Sequence, residues 1–352
     1  MFRMPKYLAT VSLAIGTLLA AHAAQAQDKV VYALTTTNIS VGNAAQSSVP
    51  RGMNYWKNEG LDVDVIGLAG TMIGVQQIAT GAVHFATAGP ETVLIARQKG
   101  LPVVAVYVMS TPIYETVVVD DTIKSFKDLK GKTIGLPEMA SGSLPYARSA
   151  VKDAGLDPDK DVKFISVGLG SSAANAIRQK EIDAWSVWDT GVAALENSGF
   201  KFTKIDPPWL SKMPGNVIIT HEDIAKNRPD LVVKFLRGLA KATAFSIANP
   251  EATIRNHWQM YPATKPQEVT PKTFAESVNI YNSRASRMKK ADNRKWGEIV
   301  DAEWDSILEH SLEPLGDKGS AAVRASYTNK FIADVNNFDE AAVVAEAKAS
   351  KW

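Results

Sequence analysis

From Asp28 to Gly199 short apolar runs alternate with stretches whose apolar residues recur three and four apart. The first kind reads as strand and the second as amphipathic helix. "KVVYAL" predicts the first strand, followed by the polar loop "TTTNISVGN" and a helix closed by Gly60. "LDVDVIGL", "VHFATA" and "PVVAVYVM" predict three more strands. The helices between them, "MIGVQQIAT" and "ETVLIARQK", are entered through Gly70-Thr71 and Gly89-Pro90 and closed by Gly81 and Gly100. The unit then returns, with "KTIGL", "DVKFISV" and "IDAWSVW" as strands. Ser143 is placed to cap a helix with Pro145 in its first turn, and the turn "GLGSS" leads into "AANAIRQK". The helix "TGVAALENS" closes at Gly199. Strands separated by helices predict an α/β fold with mainly parallel sheets.

Beyond Asn216 the pattern becomes helical, with no further set of strand–helix units. "DIAKNRPDLVVKFLRGLAKATAFSIAN" reads as one long amphipathic stretch. The segments Trp296–His310 and Phe338–Lys348 also read as helix, with Asn337 and Asp339 as caps of the last one.

The first residues, "MFRMPKYLATVSLAIGTLLAAHAAQAQ", follow a different pattern. Arg3 and Lys6 precede an apolar stretch from Leu8 to Ala21, and Ala24-Gln25-Ala26 is a small-x-small processing site. Such a segment predicts a signal peptide cleaved after Ala26; its apolar run is short for a bilayer span. An exported, periplasmic protein follows. The chain has no cysteine, which excludes a lipid anchor at the new terminus, a disulfide framework and thiol catalysis. Losing the signal's two cations brings the 39 Lys and Arg level with the 37 Asp and Glu. Nothing in that balance argues for nucleic acid or an anionic membrane as partner. No later segment is apolar enough to cross a membrane, so a soluble monomer is expected, and residues 27–352 suffice for two lobes of ordinary size.

The recurring device is a strand, a glycine turn and a helix N-terminus. Such a turn aims unpaired backbone N–H groups and the positive end of a helix dipole at whatever lies beyond the strand ends. Gly70-Thr71, Gly89-Pro90-Glu91, Ser141-Gly142-Ser143 and Gly168 to Ser172 are the four candidates, although each alone is also an ordinary connection. "GLGSSAAN" lacks the third glycine of a dinucleotide fingerprint, and no phosphate-binding "GxxxxGK[ST]" occurs. Behind the signal stand His84, His221, His257 and His310, no two of them at metal-ligand spacing. His84 in a strand and His221 at a loop start read as structural. "GPETV" and "ASGSL" contain no nucleophile elbow, and no spacing singles out a carboxylate pair. A binding protein without metal or cofactor is expected rather than an enzyme.

Three stretches carry a resemblance: "IATGAVHFATAGPETVLIARQKGLPVVAV", "IKSFKDLKGKTIGL" and "IRQKEIDAWSVWDT". With them the mature chain, over nearly all its length, resembles the periplasmic solute-binding proteins of the nitrate/sulfonate/taurine group of ABC transporters. That group includes binders of thiamine-pyrimidine precursors. The second stretch is similar to the family's "s-x-x-DLKGKxIG". The third is similar to its "G-x-I-DA-x-x-x-W-x-P", with Lys180-Glu181 where glycine-acid is commoner and Thr190 in place of proline. "NNFDEAAVVAEAK" resembles the C-terminal helix of the pyrimidine-precursor branch.

The resemblance implies a type II periplasmic binding protein fold, two α/β lobes joined by a two-crossing hinge and closing on a ligand like a clamp. Crossings near Pro112–Glu115 and Lys212–Asn216 would make lobe one 28–113 plus 215–352, and lobe two 114–214. The late helical region would pack mainly on lobe one. The implied function is the solute-binding component of an ABC importer, delivering its ligand to a permease and its ATPase in the inner membrane. A periplasmic sensor docking on a signalling receptor is the alternative. An enzyme resembling the fungal thiamine-pyrimidine synthases is disfavoured, because those carry a cysteine-rich iron motif and use pyridoxal phosphate.

In that arrangement "DAWSVW" is the last strand of lobe two before the return crossing. Period-2 alternation puts Trp185 and Trp188 on opposite faces. Trp188, nearer the carboxyl edge, is expected in the ligand wall and Trp185 in the core. Asp189 reads both as the cap of the helix beginning near Thr190 and as a carboxylate facing the ligand. The expected contacts are Thr36, Asn38, Gly70, Thr71, Gly89, Pro90, Glu91, Tyr114, Ser141, Gly142, Ser143, Gly170, Ser171, Trp188 and Asp189. The loops 35–48, 70–74, 88–92, 110–114, 139–145 and 167–173 contain no Lys or Arg, whereas Glu91, Glu115, Glu138 and Asp189 lie near them. With Tyr114, Tyr146 and Trp188 as stacking surfaces, a small zwitterionic or amino-heteroaromatic ligand is expected. Taurine-like sulfonates and aminopyrimidines both fit, and bare nitrate fits less well.

Overall fold

The computed structural model describes residues 27–310 and 321–351; the expected signal peptide lies outside the described residues. Among the described residues ten strands form two five-stranded sheets. The first sheet contains β1 (Asp28–Leu34), β2 (Leu61–Gly67), β3 (Phe85–Ala88), β4 (Val103–Val108) and the late β10 (Val217–His221), in the order β2-β1-β3-β10-β4. The second contains β5 (Tyr114–Val118), β6 (Lys132–Leu136), β7 (Val162–Ser166), β8 (Ala184–Trp188) and β9 (Thr203–Lys204), in the order β7-β6-β8-β5-β9.

Seven of these strands stand where the periodicity predicts them; β5, β9 and β10 do not. Their directions explain why the sheets are mixed rather than mainly parallel. β1 runs parallel to β2 and β3, and β6 runs parallel to β7 and β8. The chain leaves the first sheet at the carboxyl end of β4 and enters the second at Tyr114, so β5 runs antiparallel to β8. On its return it re-enters the first sheet from the same edge at Val217, so β10 runs antiparallel to β3 and β4. A strand fed from a sheet's carboxyl edge has no other direction open to it.

The late region is less continuous than its sequence pattern. Pro229 lacks the N–H that a continuous helix would need, and the stretch divides into helices Glu222–Asn227 and Pro229–Ala248. The segment from Trp296 is irregular until the helix Asp301–His310 begins. Asp339 accepts a hydrogen bond from Ala342 N (2.9 Å) and caps the last helix, Glu340–Ala349.

Helix Pro229–Ala248 closes one face of the first sheet through an aromatic stack. Phe235 lies 4.0 Å from the Phe85 ring and 5.3 Å from the Trp56 ring, and its carbonyl accepts the Trp56 indole N–H at 3.0 Å. Each such fully buried side chain contributes about 1.5–3 kcal/mol through burial. The late helices are not confined to the first sheet. Helix Pro271–Ala285 packs against helix Asp189–Asn197, which follows β8 of the second sheet, and also against the turn Val41–Gln46. Asn197 fastens that contact, donating to the Glu276 carbonyl (2.8 Å) and accepting from Asn279 (2.9 Å). That bridging helix brings to the interface between the sheets residues that no strand–helix turn supplies.

Candidate functional site

The carboxyl ends of β1, β3, β6 and β8 meet across a cleft, the place where open α/β sheets bind ligands. The cavity there measures about 40 Å³. Thr35, Thr36, Thr71 and Thr87 line it from the first sheet, and Tyr114, Ser141, Gly142 and Trp188 from the second. Asn43, Gln46, Asn216 and Arg284, with the apolar Leu34 and Ile113, complete the wall. Hydroxyls and carboxamides dominate, with one indole face and one guanidinium. Such a lining can both donate to and accept from a small polar solute.

Local sequence sets several of these positions. Thr35 directly follows β1; its N–H and hydroxyl meet the Thr87 hydroxyl at 2.9 Å each, which pins the first loop to β3. Gly70 adopts φ +113°, and an added Cβ would lie 2.6–2.8 Å from Ala140, so only glycine permits the two sheets to approach there. The Met72 N–H reaches the Ala140 carbonyl across that seam at 3.4 Å. The loop holding Ser141 is ordered by its contact with Ser143, their hydroxyls 2.8 Å apart. Tyr114 stacks on Tyr146 with ring centroids 5.8 Å apart and engages Thr71 through its hydroxyl.

Ion pairs fix the electrostatics. Asp189 is buried and accepts from Arg284 Nε at 2.9 and 3.1 Å and from Nη2 at 2.6 Å. Burial works against the Arg284 charge, but the Asp189 carboxylate more than compensates and leaves the guanidinium's pKa above its ordinary value. Arg287 Nε lies 3.4 Å from the same carboxylate, and its Nη2 donates to Glu115. Glu115 also accepts from Lys204 Nζ at 2.7 Å, although burial still holds its pKa above the usual range. Glu91 has no such cation. Its Oε1 is buried without a hydrogen-bond partner among the described residues, and burial pushes its pKa up to about 7.

Of the expected contacts, Thr36, Thr71, Tyr114, Ser141, Gly142 and Trp188 line the cleft. Gly89, Pro90 and Glu91 line an adjoining void of about 20 Å³, which Tyr114 and Gly142 separate from the cleft. Glu91 also faces a cavity of about 210 Å³ that shares Ser141 with the cleft. Gly70 and Ser143 stand behind the lining as positioning residues. Asn38 is exposed in a turn closed by its N–H on the Thr36 hydroxyl (3.1 Å), and it lies outside these cavities. Gly170 and Ser171 are exposed beyond the edge strand β7 and also lie outside them, because an edge strand is farthest from the centre of the seam. Trp185 is buried in the core beneath helix Asp189–Asn197, whereas Trp188 keeps partial exposure. Asp189 is the first residue of its helix rather than the residue before it; its Oδ1 accepts from the Thr190 N–H at 2.8 Å, and Arg284 takes up the carboxylate, so it does not stand free for a ligand. The cleft is therefore not purely acidic: Arg284 reaches it from helix Pro271–Ala285, outside every glycine turn. Leu34, Thr35, Asn43, Gln46, Thr87, Ile113, Asn216 and Arg284 are the lining residues absent from the expected contacts. Helical period gives no signal for a contact made across 95 positions. His84 and His221 serve the backbone: the first accepts from Val31 N and the second from Asp223 N, both at 3.0 Å.

Two mixed α/β sheets facing each other across a cleft, joined by two crossings, define the fold of the periplasmic solute-binding proteins. The periplasmic nitrate-binding protein NrtA from Synechocystis shares it, with a TM-score of 0.60, 11% identity and coverage of 93% of this chain and 99% of that one. The profile of the NMT1/THI5-like family matches residues 48–253, and the chain belongs to that family. The riboflavin-binding protein RibY of Chloroflexus aurantiacus is 29% identical over 224 residues, 61% of this chain and 62% of that protein. The taurine-binding periplasmic protein of Escherichia coli is 26% identical over 184 residues, 51% of this chain and 56% of that protein. The chain thus spans less than two thirds of the length of these two relatives. Among the described residues no helix is long and apolar enough to cross a membrane.

Proposed function

We propose that the chain is the periplasmic solute-binding component of an ABC importer. It captures a small organic solute between the sheets and delivers it to a membrane permease and its ATPase. The observation that carries this reading is the cleft lining: hydroxyls and an indole from the carboxyl edges of both sheets, joined by carboxamides and by a charge-paired guanidinium from the bridging helix. Enzymatic chemistry is not part of the reading, because the cleft gathers hydrogen-bonding groups without a nucleophile–base pair.

Residues 28–113 with 215–352 act as one lobe and 114–214 as the other, with the crossings as hinge. A cavity of about 40 Å³ holds only a few waters at ~10–15 Å³ each, so the lobes part to admit a solute. Arg284 changes the ligand chemistry expected from the loops alone. Three of its bonds go to Asp189 through Nε and Nη2, leaving Nη1 to meet an acidic group of the solute. Glu91, next to the cleft, offers an acceptor to an amine. A taurine-like sulfonate meets both, and a relative that binds taurine supports it; an aminopyrimidine-like solute meets the second with its amine and offers Arg284 only a neutral ring nitrogen as acceptor.

The test is a thermal-shift screen against taurine, ethanesulfonate, an aminopyrimidine, riboflavin and nitrate. A ligand held only by the folded state raises the melting temperature by an amount set by concentration over Kd. A rise with a compound bearing both an amine and an acidic group is expected. A rise confined to nitrate would overturn the ligand class, and no rise with any compound would overturn the reading itself. The sensor alternative predicts the same binding but association with a receptor domain instead of a permease.

A further inference from the structure

A further cavity, about 430 Å³ in volume, lies beside the two crossings. This is within the range of roughly 300–1,000 Å³ typical of ligand sites. Ser110 and Thr111 of the outgoing crossing line one wall, and Ser211, Met213 and Pro214 of the returning one line another. The third wall is the connector after helix Pro271–Ala285, which the Thr111 N–H fastens to the Arg287 carbonyl at 2.8 Å.

That connector carries five cations into the lining: Arg287, Lys289, Lys290, Arg294 and Lys295. The opposing carboxylates there are Glu298 and Glu303. Arg294 is committed to Glu303 at 2.7 Å, and Arg287 to Glu115 and Asp189. Lys290 lies 3.7 Å from Glu340 and 5.2 Å from the centroid of the Trp296 ring. Lys289 and Lys295 are exposed, and neither side chain has an ion-pair partner among the described residues.

Two unpaired neutral donors lie in residues of the same walls. Trp296 is 6% exposed and Ser110 8% exposed; both line the cavity, yet Trp296 Nε1 and Ser110 Oγ have no hydrogen-bond partner among the described residues. A buried indole N–H can only donate, and leaving it unpaired is unfavourable. Excess cations around one concave space, with unsatisfied donors buried in its walls, are the complement of an oxyanion with several acceptor oxygens.

We propose that this cavity is a binding site for a small multivalent oxyanion of the diphosphate or tricarboxylate class, separate from the solute cleft. Its walls come from both crossings, so occupancy reaches the hinge. Arg287 connects it to Asp189, and through Asp189 to Arg284 on the cleft wall. Any effect of the anion on cleft affinity is matched by an equal effect of cleft solute on anion affinity.

The test is calorimetric titration of pyrophosphate and of citrate into the wild-type protein and two variants. Lys289→Glu with Lys295→Glu reverses the two exposed cations; Trp296→Phe removes only the indole N–H. Saturable binding of either anion is expected, weakened at least tenfold by the double reversal and severalfold by Trp296→Phe. The cleft variant Thr71→Ala should bind the anion unchanged, so failure here is distinct from failure of the solute-binding reading. No saturable binding of either anion, or equal affinity in the double variant, overturns the proposal. Sedimentation with phosphatidylglycerol vesicles separates the two sources of such chemistry: binding to vesicles without binding of the free anions would replace the soluble anion with a lipid headgroup and overturn the assignment.

Discussion

Arg284 grips Asp189 with three hydrogen bonds although 95 positions separate them. The pair ties helix Pro271–Ala285 to the end of β8, where the second sheet meets the cleft. Both side chains are buried, so each depends on the other for the solvation that water no longer provides. Asp189→Asn leaves the guanidinium buried against a neutral amide. The expected loss is about 3–5 kcal/mol in urea unfolding, with the slope m unchanged. Asp189→Leu combined with Arg284→Met should recover a large part of it. If the double variant lost the sum of the single losses, the pair would not be the stabilising unit.

Glu91 gives stability a pH dependence of definite sign. Its folded-state pKa of about 7 exceeds the unfolded value of 4.5, so between those pH values the folded protein binds the extra proton. The protonated form is fully favoured below about pH 4.5, and that contribution is lost as pH rises to about 7, then levels off. At about 1.4 kcal/mol per unit, the loss approaches ~3 kcal/mol. Glu91→Gln should remove this slope and stabilise the protein at pH 8 relative to wild type. Parallel stability curves for the two proteins across pH 4.5–8 would refute the unpartnered carboxyl.

The two tryptophans of "DAWSVW" separate stability from binding. Trp185 is 1% exposed in the core of the second sheet, and Trp185→Ala should cost about 3–5 kcal/mol. Trp188 lines the cleft and keeps partial exposure, so Trp188→Ala should cost under about 2 kcal/mol while abolishing most solute affinity. Equal costs in guanidinium unfolding would contradict their different placements.

Gly215 sits where the two crossings touch. An added Cβ would overlap the backbone carbonyl oxygens of Ser110 and Thr111, which no rotamer change can move. Gly215→Ala should therefore cost about 1–3 kcal/mol in thermal unfolding and disturb the Gly215 N–H bond to Ser110 O. Unchanged stability would show that the crossings have slack.

The contrast between Thr71 and Arg284 shows what the sequence makes legible. Thr71 follows a strand and a glycine of φ +113°, so its place at a carboxyl edge is written in neighbouring residues. The strand–helix units share this local character, and seven strands could be read from it. β10 could not, because "VIITH" stands alone amid helical pattern and gains its place by pairing with β3 and β4, more than a hundred positions earlier in the chain. Arg284 belongs to a helix whose polar face looks like any solvated face until helix Asp189–Asn197 packs on it. The basic connector 287–295 lies outside the loops that the sequence marks for chemistry, because its concavity depends on both crossings.

The most direct measurement is calorimetric titration of the strongest binder from the solute panel into wild type, Thr71→Ala and Trp188→Ala. These residues face each other across the cleft from different sheets. Capture between the sheets predicts a loss of at least tenfold in affinity from either substitution, with folding intact by circular dichroism. An affinity unchanged in both variants would place the solute elsewhere and contradict the cleft as its site.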